Sequence, residues 1–263
     1  MQESGIKVFS LGRRGERNEG IKEFQWELIQ DQRTVPVAWW LDTVEPSQRL
    51  MADILSAGGM YEVETVVAII SVLREGGTFF DVGAHCGFFS VIASALVGEA
   101  GQVVAFEPSA SNRRHFMRNA NRDNVCLVSA AVTDRDGLVD LHLCADNDGG
   151  NALWDPGKHD WNADTRAAPP NLESVRGVSL DSYAHHCPTV IKIDTEGAEV
   201  LVMKGAERVL SQPQLKLVVA EAHAFGLEQL GSSLGELITL MGEAGFAMET
   251  PKETNDNLHF WRL

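Results

Sequence analysis

Residues 79–90 read FFDVGAHCGFFS, and residues 103–109 read VVAFEPS. Each stretch begins with a short apolar run, which is typical of a buried strand. The first run continues into a turn that carries Gly83 and Gly87, and the second ends at Glu107. Glu107 follows Gly87 by 20 positions, about the spacing at which doubly wound nucleotide folds place an acid on the ribose hydroxyls. Together the two stretches predict a Rossmann-like α/β fold that binds an adenosine-containing ligand.

The spacing of the glycines distinguishes between the ligands of such folds. The turn has the pattern D-x-G-x-x-x-G, whereas a dinucleotide site has G-x-G-x-x-G, which lets a pyrophosphate approach a helix N-terminus. S-adenosylmethionine has no phosphate, so a wider turn with a ribose-binding acid suits it, and we predict a methyl-donor site. Two other classes of protein stay open: a nucleotide-cofactor oxidoreductase, and a non-catalytic binding module that keeps the fold.

Composition restricts the partners and the location of the protein. The chain has 263 residues and a formal net charge of -15, so it should be repelled by a phosphate backbone, and we expect no nucleic-acid partner. It has no run of about 18 apolar residues, so we expect no membrane span. The first 20 residues are polar, and the four cysteines form no C-x-x-C pair. Both features favour a cytoplasmic protein with reduced thiols.

We expect the chain to have two parts. Residues 1–60 form an N-terminal extension or cap, a candidate for a homo-oligomer contact, in which VAWWL is either a short strand or a covered apolar patch. Residues 61–263 form the domain that binds S-adenosylmethionine. Within it, residues 145–173 are long and polar, and segments of this kind are often lids. Because this segment also carries Trp154 and Trp161, we predict a lid over the substrate.

Strands and helices alternate along this second part, as a parallel sheet requires. A helix at 62–74 precedes the first strand, and GLVDLHLC (137–144) reads as an added antiparallel strand. FAMET and LHFWRL read as a closing hairpin with one antiparallel strand, which completes a seven-stranded, mostly parallel sheet of the class I methyltransferase type. The other predicted strands are 78–82, 102–106, 125–132, 189–194 and 215–221, and the other predicted helices are 87–97, 109–121, 196–210 and 233–244.

Ligands of an open α/β sheet bind at the carboxyl ends of the strands, and this rule selects the donor-site candidates. We expect Glu107 to accept both ribose hydroxyls. Asp81 either accepts from the methionyl ammonium or stabilises the turn. Ala131 and Val132 are expected to flank the adenine. The full predicted donor set is Asp81, Gly83, Ala84, His85, Gly87, Glu107, Pro108, Ser109, Asn112, Ala131, Val132 and Asp194.

The candidates for chemistry lie at the ends of the fourth and fifth strands. In the run IKIDTEGAE, Glu199 is readily explained as a carboxylate that complements the positive end of the following helix. This explanation fits Asp194 poorly, because Asp194 ends the strand. His223 is either a general base or a structural histidine. We name His223, Asp194 and Glu196 as catalytic candidates, and we expect the acceptor to contact Tyr61, Trp154 and Glu221. Asp194, Glu221 and His223 could also converge on a divalent cation, but no spacing demands it, so we predict no metal ligands.

At this point the chain resembles the FkbM-type S-adenosylmethionine-dependent methyltransferases, over about residues 60 to 262. The motifs that carry the resemblance are YEVET (61–65), FFDVGAHCGFFS, AFEPSASN (105–112), Asn119, VSLDSY (178–183), IKIDTEGAEVLVMKGA (191–206) and Asn257. The resemblance implies a class I methyltransferase sheet and methyl transfer, commonly to oxygen on sugars, polyketides or other natural products. It also implies donor-site roles for Asp81, Gly83, Gly87, Glu107 and Asn112, and catalytic-face roles for Asp194, Glu196 and Glu221.

Two features depart from the family pattern. His85-Cys86 occupies the turn where asparagine is common in relatives, and residues 1–60 and 145–173 match no family motif, so acceptor choice is expected to reside there. We expect an acceptor hydroxyl on a small molecule to attack the sulfonium methyl while His223 or a strand-four carboxylate removes its proton. Nitrogen and carboxylate acceptors stay open.

Overall fold

The computed structural model describes residues 7–18, 20–249 and 257–263, with only the backbone for the first of these ranges. The strands are β1 Lys7–Asn18, β2 Ile21–Gln30, β3 Arg33–Asp42, β4 Thr78–Val82, β5 Gln102–Phe106, β6 Val125–Val128, β7 Ala131–Val132, β8 Gly137–His142, β9 Leu172–Val178, β10 Val190–Ile193, β11 Leu217–Glu221, β12 Phe246–Glu249 and β13 Asn257–Arg262. The helices are α1 Pro46–Ser56, α2 Val63–Val72, α3 Phe88–Val97, α4 Ala110–Asn119, α5 Ala163–Ala167, α6 Glu199–Lys204, α7 Glu207–Leu210, α8 Ala224–Gln229 and α9 Leu234–Glu243.

The central sheet has seven strands in the order β12-β13-β11-β10-β4-β5-β6. The neighbouring strands β11, β10, β4, β5 and β6 pair in parallel, while β13 is antiparallel to both of its neighbours. This is the order and polarity expected of a class I methyltransferase, so the predicted fold class is confirmed. The strand order reverses between β4 and β10, and the carboxyl ends of these two strands therefore open a crevice for a ligand.

Both faces of the central sheet are covered, as expected for parallel strands with near-continuous apolar sequences. Along β4, Phe79 belongs to the apolar cluster on one face, and Phe80 and Val82 belong to the cluster on the other. Asp81 interrupts this apolar run although it is almost fully buried. A buried carboxyl is costly without a partner, and its position at the end of β4 marks the functional edge of the sheet.

The N-terminal extension packs onto helices α3 and α4 through β3, which carries the run VAWWL. Strands β1, β2 and β3 form an antiparallel sheet, so the strand alternative for VAWWL is correct. The Trp39 ring stacks on Phe88 at a centroid distance of 4.7 Å, and its Nε1 donates to the Phe88 carbonyl at 3.1 Å. The β2 and β3 side chains therefore share one apolar core with α3. The division at residue 60 stays a prediction; residues 1–6 and 19 lie outside the described residues.

The predicted third strand, 125–132, is two strands in different sheets. Strand β6 ends at Val128, and the chain bends so that the Ala130 amide donates to the Val128 carbonyl at 2.9 Å. Strand β7 then joins a separate sheet of order β7-β9-β8. The predicted added strand 137–144 is β8 of that sheet. Its partner β9 was missed, because its sequence LESVRGV is mostly exposed and polar at its start.

The predicted helix 196–210 also differs from the structure. Glu196 and Gly197 have φ values of 54° and 107°, in the left-handed region that ends or precedes a helix, so α6 begins only at Glu199. A second break at Gly205 separates α6 from α7. Helix α8 was not predicted. The last residue of FAMET lies outside the part of the chain that the structure describes.

The predicted lid, residues 145–173, contains a 3-10 turn at Pro156–Lys158 and helix α5. The Asp146 carboxylate accepts from the Thr165 amide at 2.8 Å and so fastens the start of α5. Trp154 is buried, whereas Trp161 is 85% exposed. A lid function stays a prediction. Across the described ranges, none of the helices has the length and apolar character needed to cross a membrane.

Candidate functional site

A cavity of about 240 Å³ lies at the carboxyl ends of β4, β5 and β10. The described residues that line it include Tyr61, Glu62, Gly83, His85, Glu107, Pro108, Asn112, Ala131, Val132, Asn147, Gly149, Asn151, Ala152, Leu153, Lys192, Asp194, Glu196 and Glu221. The cavity occupies the place that the reversal of strand order predicts for a ligand. It has a glycine-turn end near Glu107 and an acidic end near Asp194.

The turn after β4 requires glycine for a steric reason. Gly83 has a φ of +79°, and a Cβ there would lie 1.7 Å from the backbone oxygen of Asp194. Gly87 has a φ of +84°, and its Cβ would lie 3.0 Å from the Phe116 ring. The two glycines thus let the ends of β4 and β10 approach each other and let α3 begin close to α4.

Glu107 is held at the glycine-turn end by two backbone amides. Its Oε2 accepts from the His85 amide and its Oε1 from the Ser109 amide, each at 2.8 Å. Burial raises the pKa of Glu107, while His85, these amides and Arg113 oppose the rise. A carboxylate oxygen has two acceptor positions. Each oxygen of Glu107 therefore keeps one for a ligand hydroxyl.

The predicted donor residues fall into two groups. Those that line the cavity are Gly83, His85, Glu107, Pro108, Asn112, Ala131, Val132 and Asp194. Those outside the described lining are Asp81, Ala84, Gly87 and Ser109. Asp81 accepts from Ser90 Oγ at 2.6 Å, and burial raises its pKa to about 6. Direct contact between this second group and a donor stays a prediction.

The acidic end brings together three of the predicted residues. Carboxylate oxygens of Asp194, Glu196 and Glu221 lie within 4.8 Å of one another. Lys192 Nζ donates to Asp194 Oδ2 at 2.6 Å and lies 4.6 Å from the centre of the Phe89 ring. Sequence reasoning missed Lys192, although a lysine within the apolar strand TVIKID is a signal, because a buried ammonium must be paired.

The three carboxyl groups at the acidic end differ in pKa. Burial would raise the pKa of Asp194, but Lys192 and a hydrogen bond from Glu221 hold it at about 2. The charge of Asp194, together with burial, raises the pKa of Glu221 well above its ordinary range. Burial, with Asp194 and Glu199, raises the pKa of Glu196 to about 8. Near neutral pH, Asp194 is therefore ionised and Glu196 is poised to titrate. We assign no metal, because nothing besides the acidic cluster points to one.

Tyr61 and Glu62 close the acidic end from the start of α2. Glu62 has a φ of 45°, a strained value for a non-glycine residue. Its Oε2 accepts from Asn257 Nδ2 at 3.2 Å. Burial raises the pKa of Glu62, and burial and Glu62 raise the pKa of Tyr61. Tyr61 was predicted, but Glu62 was missed although it belongs to the motif YEVET.

His223 and Trp154 lie outside the described lining. Trp154 Nε1 donates to the Glu196 carbonyl at 2.6 Å, and its ring is nearly parallel to that of His223 at 6.5 Å. His159 lies 5.6 Å from His223. Trp154 therefore holds the Glu196 carbonyl and stacks on His223. The described residue that clusters with Asp194 and Glu221 is Glu196 and not His223, which differs from the alternative in which His223 completed that set.

Comparison with known proteins identifies the family. The sequence profile described as the methyltransferase FkbM domain matches residues 81–248. The hexuronic acid methyltransferase AglP of Haloferax volcanii is 23% identical over 199 residues, which is 74% of each chain.

Two solved structures are similar in outline. The crystal structure of methyltransferase FkbM from Methylobacillus flagellatus has a TM-score of 0.45 and 15% identity, and the match covers 74% of this chain and 52% of that one, about half its length. A SAM-dependent methyltransferase from Aquifex aeolicus has a TM-score of 0.42 and 15% identity, with 82% and 92% covered. The fold assignment rests on strand order, not on these scores.

Proposed function

The chain belongs to the FkbM methyltransferase family, and from that premise we propose that it transfers a methyl group from S-adenosylmethionine to a hydroxyl of a small molecule, most simply a sugar. The observation that carries the proposal is a single cavity with Glu107 beside the glycine turn at one end and Asp194, Glu196 and Glu221 at the other. One end suits a ribose, and the other suits a group that gives up a proton.

The residues at the glycine-turn end fit the donor. Glu107 has acceptor positions left for the two ribose hydroxyls, and Gly83 lines the same cavity. Ala131 and Val132 would flank the adenine, with His85 and Asn112 nearby in the lining. When bound, the donor supplies an electrophilic methyl group on a sulfonium sulfur. The protein then contributes mainly alignment of the acceptor and removal of its proton.

Glu196 is the best candidate for the proton acceptor. A general base works best when its pKa is near the working pH, and the pKa of Glu196 is about 8, whereas that of Asp194 is about 2. Asp194 and Glu221 would orient the acceptor hydroxyl beside Glu196. His223 is a weaker candidate because it packs behind Trp154 and outside the described lining. The proposal also gives residues 145–173 the role of a lid over the substrate and the N-terminal extension a role in homo-oligomer contacts.

The charge of the acidic end favours a hydroxyl over a carboxylate as the acceptor. Lys192 is already paired with Asp194, so a free carboxylate would face an ionised Asp194, and among the described lining residues no unpaired cation would offset the repulsion. AglP is named for a hexuronic acid, and we take from it only the sugar class of the acceptor. An amine is the second candidate, because the same carboxyl groups would stabilise an ammonium ion.

The test combines donor binding with product analysis. Titration with S-adenosylhomocysteine should show saturable binding. Turnover is then measured as S-adenosylhomocysteine formation with methyl glucoside, glucosamine and glucuronate as matched neutral, cationic and anionic acceptors. We expect a methyl ether as the product, with glucuronate the poorest of the three. A methyl ester from glucuronate, or no donor binding by the folded chain, would contradict the proposal.

A further inference from the structure

The segment 145–153, which we call the strap, crosses the glycine-turn end of the cavity. Its base is fixed to β8 by the bridge between His142 and Ala152. Its residues Asn147, Gly149, Asn151, Ala152 and Leu153 line the cavity. The strap is therefore a wall of the proposed donor site, whereas the sequence predicted the longer segment 145–173 as a lid over the substrate.

The tip of the strap is held mainly by Asp148. The carboxylate of Asp148 accepts from His85 Nε2 at 2.7 Å and from the Ser47 amide at 2.8 Å. Its backbone carbonyl accepts from Asn112 Nδ2 at 3.0 Å. One residue thus joins the turn after β4, the first turn of α1 in the N-terminal extension, and the first turn of α4.

His85 connects this contact to the ribose-binding carboxylate. Its ring binds Asp148, while its backbone amide donates to Glu107 Oε2 at 2.8 Å. His85 has a φ of 49°, a conformation that a non-glycine residue keeps only when its surroundings hold it. A displacement of the ring would therefore turn the amide that orients Glu107.

We propose that Asp148 is a positioning residue for donor binding, which fastens the strap over the donor through its ion pair with His85. The proposal rests on the proposed function, because it requires the donor to occupy the glycine-turn end of the cavity. The ligand class is the adenosine-containing donor itself, and S-adenosylhomocysteine is a sufficient probe.

The electrostatics of the pair support this arrangement. Burial disfavours the imidazolium, but Cys86 and the bond to Asp148 raise the pKa of His85 well above its ordinary value. Burial would raise the pKa of Asp148, but His85 and Ser47 hold it below its ordinary range. The other titratable groups around the pair are Glu107, His115, Asp194 and Glu196. The pair is therefore ionised throughout the neutral range.

The test is a double-mutant cycle on the full chain with S-adenosylhomocysteine as the titrant. H85N keeps a residue type that tolerates a positive φ, and D148N keeps an acceptor for the Ser47 amide. Each should raise the dissociation constant on the order of tenfold, the effect typical of a lost charged hydrogen bond. The double variant should lose no more than either single variant, since both remove the same contact.

D146N is the matched control, because Asp146 lies in the same strap but fastens α5 and not His85. It should bind S-adenosylhomocysteine within twofold of the wild-type chain. The pKa of His85, followed by its ring-proton NMR shift, should fall in D148N and stay unchanged in D146N.

The outcomes separate this proposal from the proposed function. If the wild-type chain binds the probe but D148N binds it equally well, the strap proposal alone is overturned. Additive losses in the double variant, or an equal loss in D146N, would also overturn it. A folded wild-type chain that binds no S-adenosylhomocysteine overturns both.

Discussion

The Glu107 carboxylate accepts hydrogen bonds from two backbone amides and still has acceptor positions for a ligand. The variant E107A removes those positions, and we expect the dissociation constant for S-adenosylhomocysteine to rise by on the order of tenfold to a hundredfold, as for lost hydrogen bonds to a charged group. Calorimetric titration measures this effect. E99Q, at an exposed position after α3, is the control for loss of a negative charge. An unchanged affinity in E107A would rule out the ribose assignment.

The pKa of Glu196 predicts how the rate of turnover depends on pH. A base with a pKa of about 8 is mostly protonated at pH 6, so the rate with saturating donor should rise about tenfold per pH unit below that value and level off above it. The measurement is initial rate against pH, with the best acceptor of the sugar panel. E196Q should be slow and should lack this rise. A wild-type rate that is flat from pH 6 to 9, or an E196Q variant with the wild-type profile, would exclude Glu196 as the base.

At the scale of elements, the turn between β4 and α3 depends on the close approach of two strand ends. In G83A the new Cβ would overlap the Asp194 carbonyl at 1.7 Å, and a backbone atom cannot move aside cheaply. Gly58 has a similar φ of +83° but nothing within 4 Å, so G58A measures the backbone strain alone, about 1 kcal/mol. We expect G83A to lose several times as much stability in denaturant unfolding. Equal losses in the two variants would contradict the steric argument.

The elements that sequence predicted well are those that local patterns determine. Strand β4 matches the predicted range because its five buried residues are apolar apart from Thr78 and Asp81, and the Gly83 turn gives it a sharp end. Strand β9 was missed because the neighbours β7 and β8, and not its own apolar content, keep it in place. The start of α6 was misjudged because Glu196 and Gly197 have positive φ values, so the helix begins only at Glu199.

The same distinction applies to the candidate site. Glu107, Asp194 and Glu221 could be predicted, since each ends a strand and the rule of carboxyl ends selects them. The contacts of Glu62 and Asp148 could not, because they join segments far apart in sequence. Lys192 could have been predicted, since a lysine in an apolar strand must be paired and Asp194 lies two positions away. Asp148 meets His85 across 63 positions, and Asn257 meets Glu62 across 195. Sequence periodicity carries no information on such contacts.

At the scale of the whole molecule, the buried carboxyl groups dominate the pH dependence of stability. Burial raises the pKa of Asp81 to about 6 and of Glu199 to about 7, and burial and neighbouring acids raise that of Glu196 to about 8. A group whose pKa is higher in the folded than in the unfolded chain contributes stability below its unfolded pKa and loses it as pH rises through its folded pKa. The carboxyls with lowered pKa values, Asp194 and Asp148, lose their contribution only in strong acid. The ligand-free protein should therefore unfold at progressively lower temperature from pH 5.5 to 8.5.

The contribution of Glu199 to this loss of stability can be measured separately, because Glu199 is fully buried and lies outside the described cavity lining. Its Oε1 accepts from the Gly197 amide at 3.1 Å, while its Oε2 has no hydrogen-bond partner among the described residues. Ionisation therefore leaves a buried, unsatisfied oxygen, and a shift from 4.5 to about 7 corresponds to about 3 kcal/mol of stability lost between pH 5 and 9. E199Q does not titrate, so its stability should fall less steeply over this range than that of the wild type, while the exposed control E228Q should follow the wild-type curve. Parallel curves for E199Q and wild type would mean that folding does not raise the pKa of Glu199, and the alkaline loss would then belong to the other buried carboxyls, Asp81 and Glu196 among them.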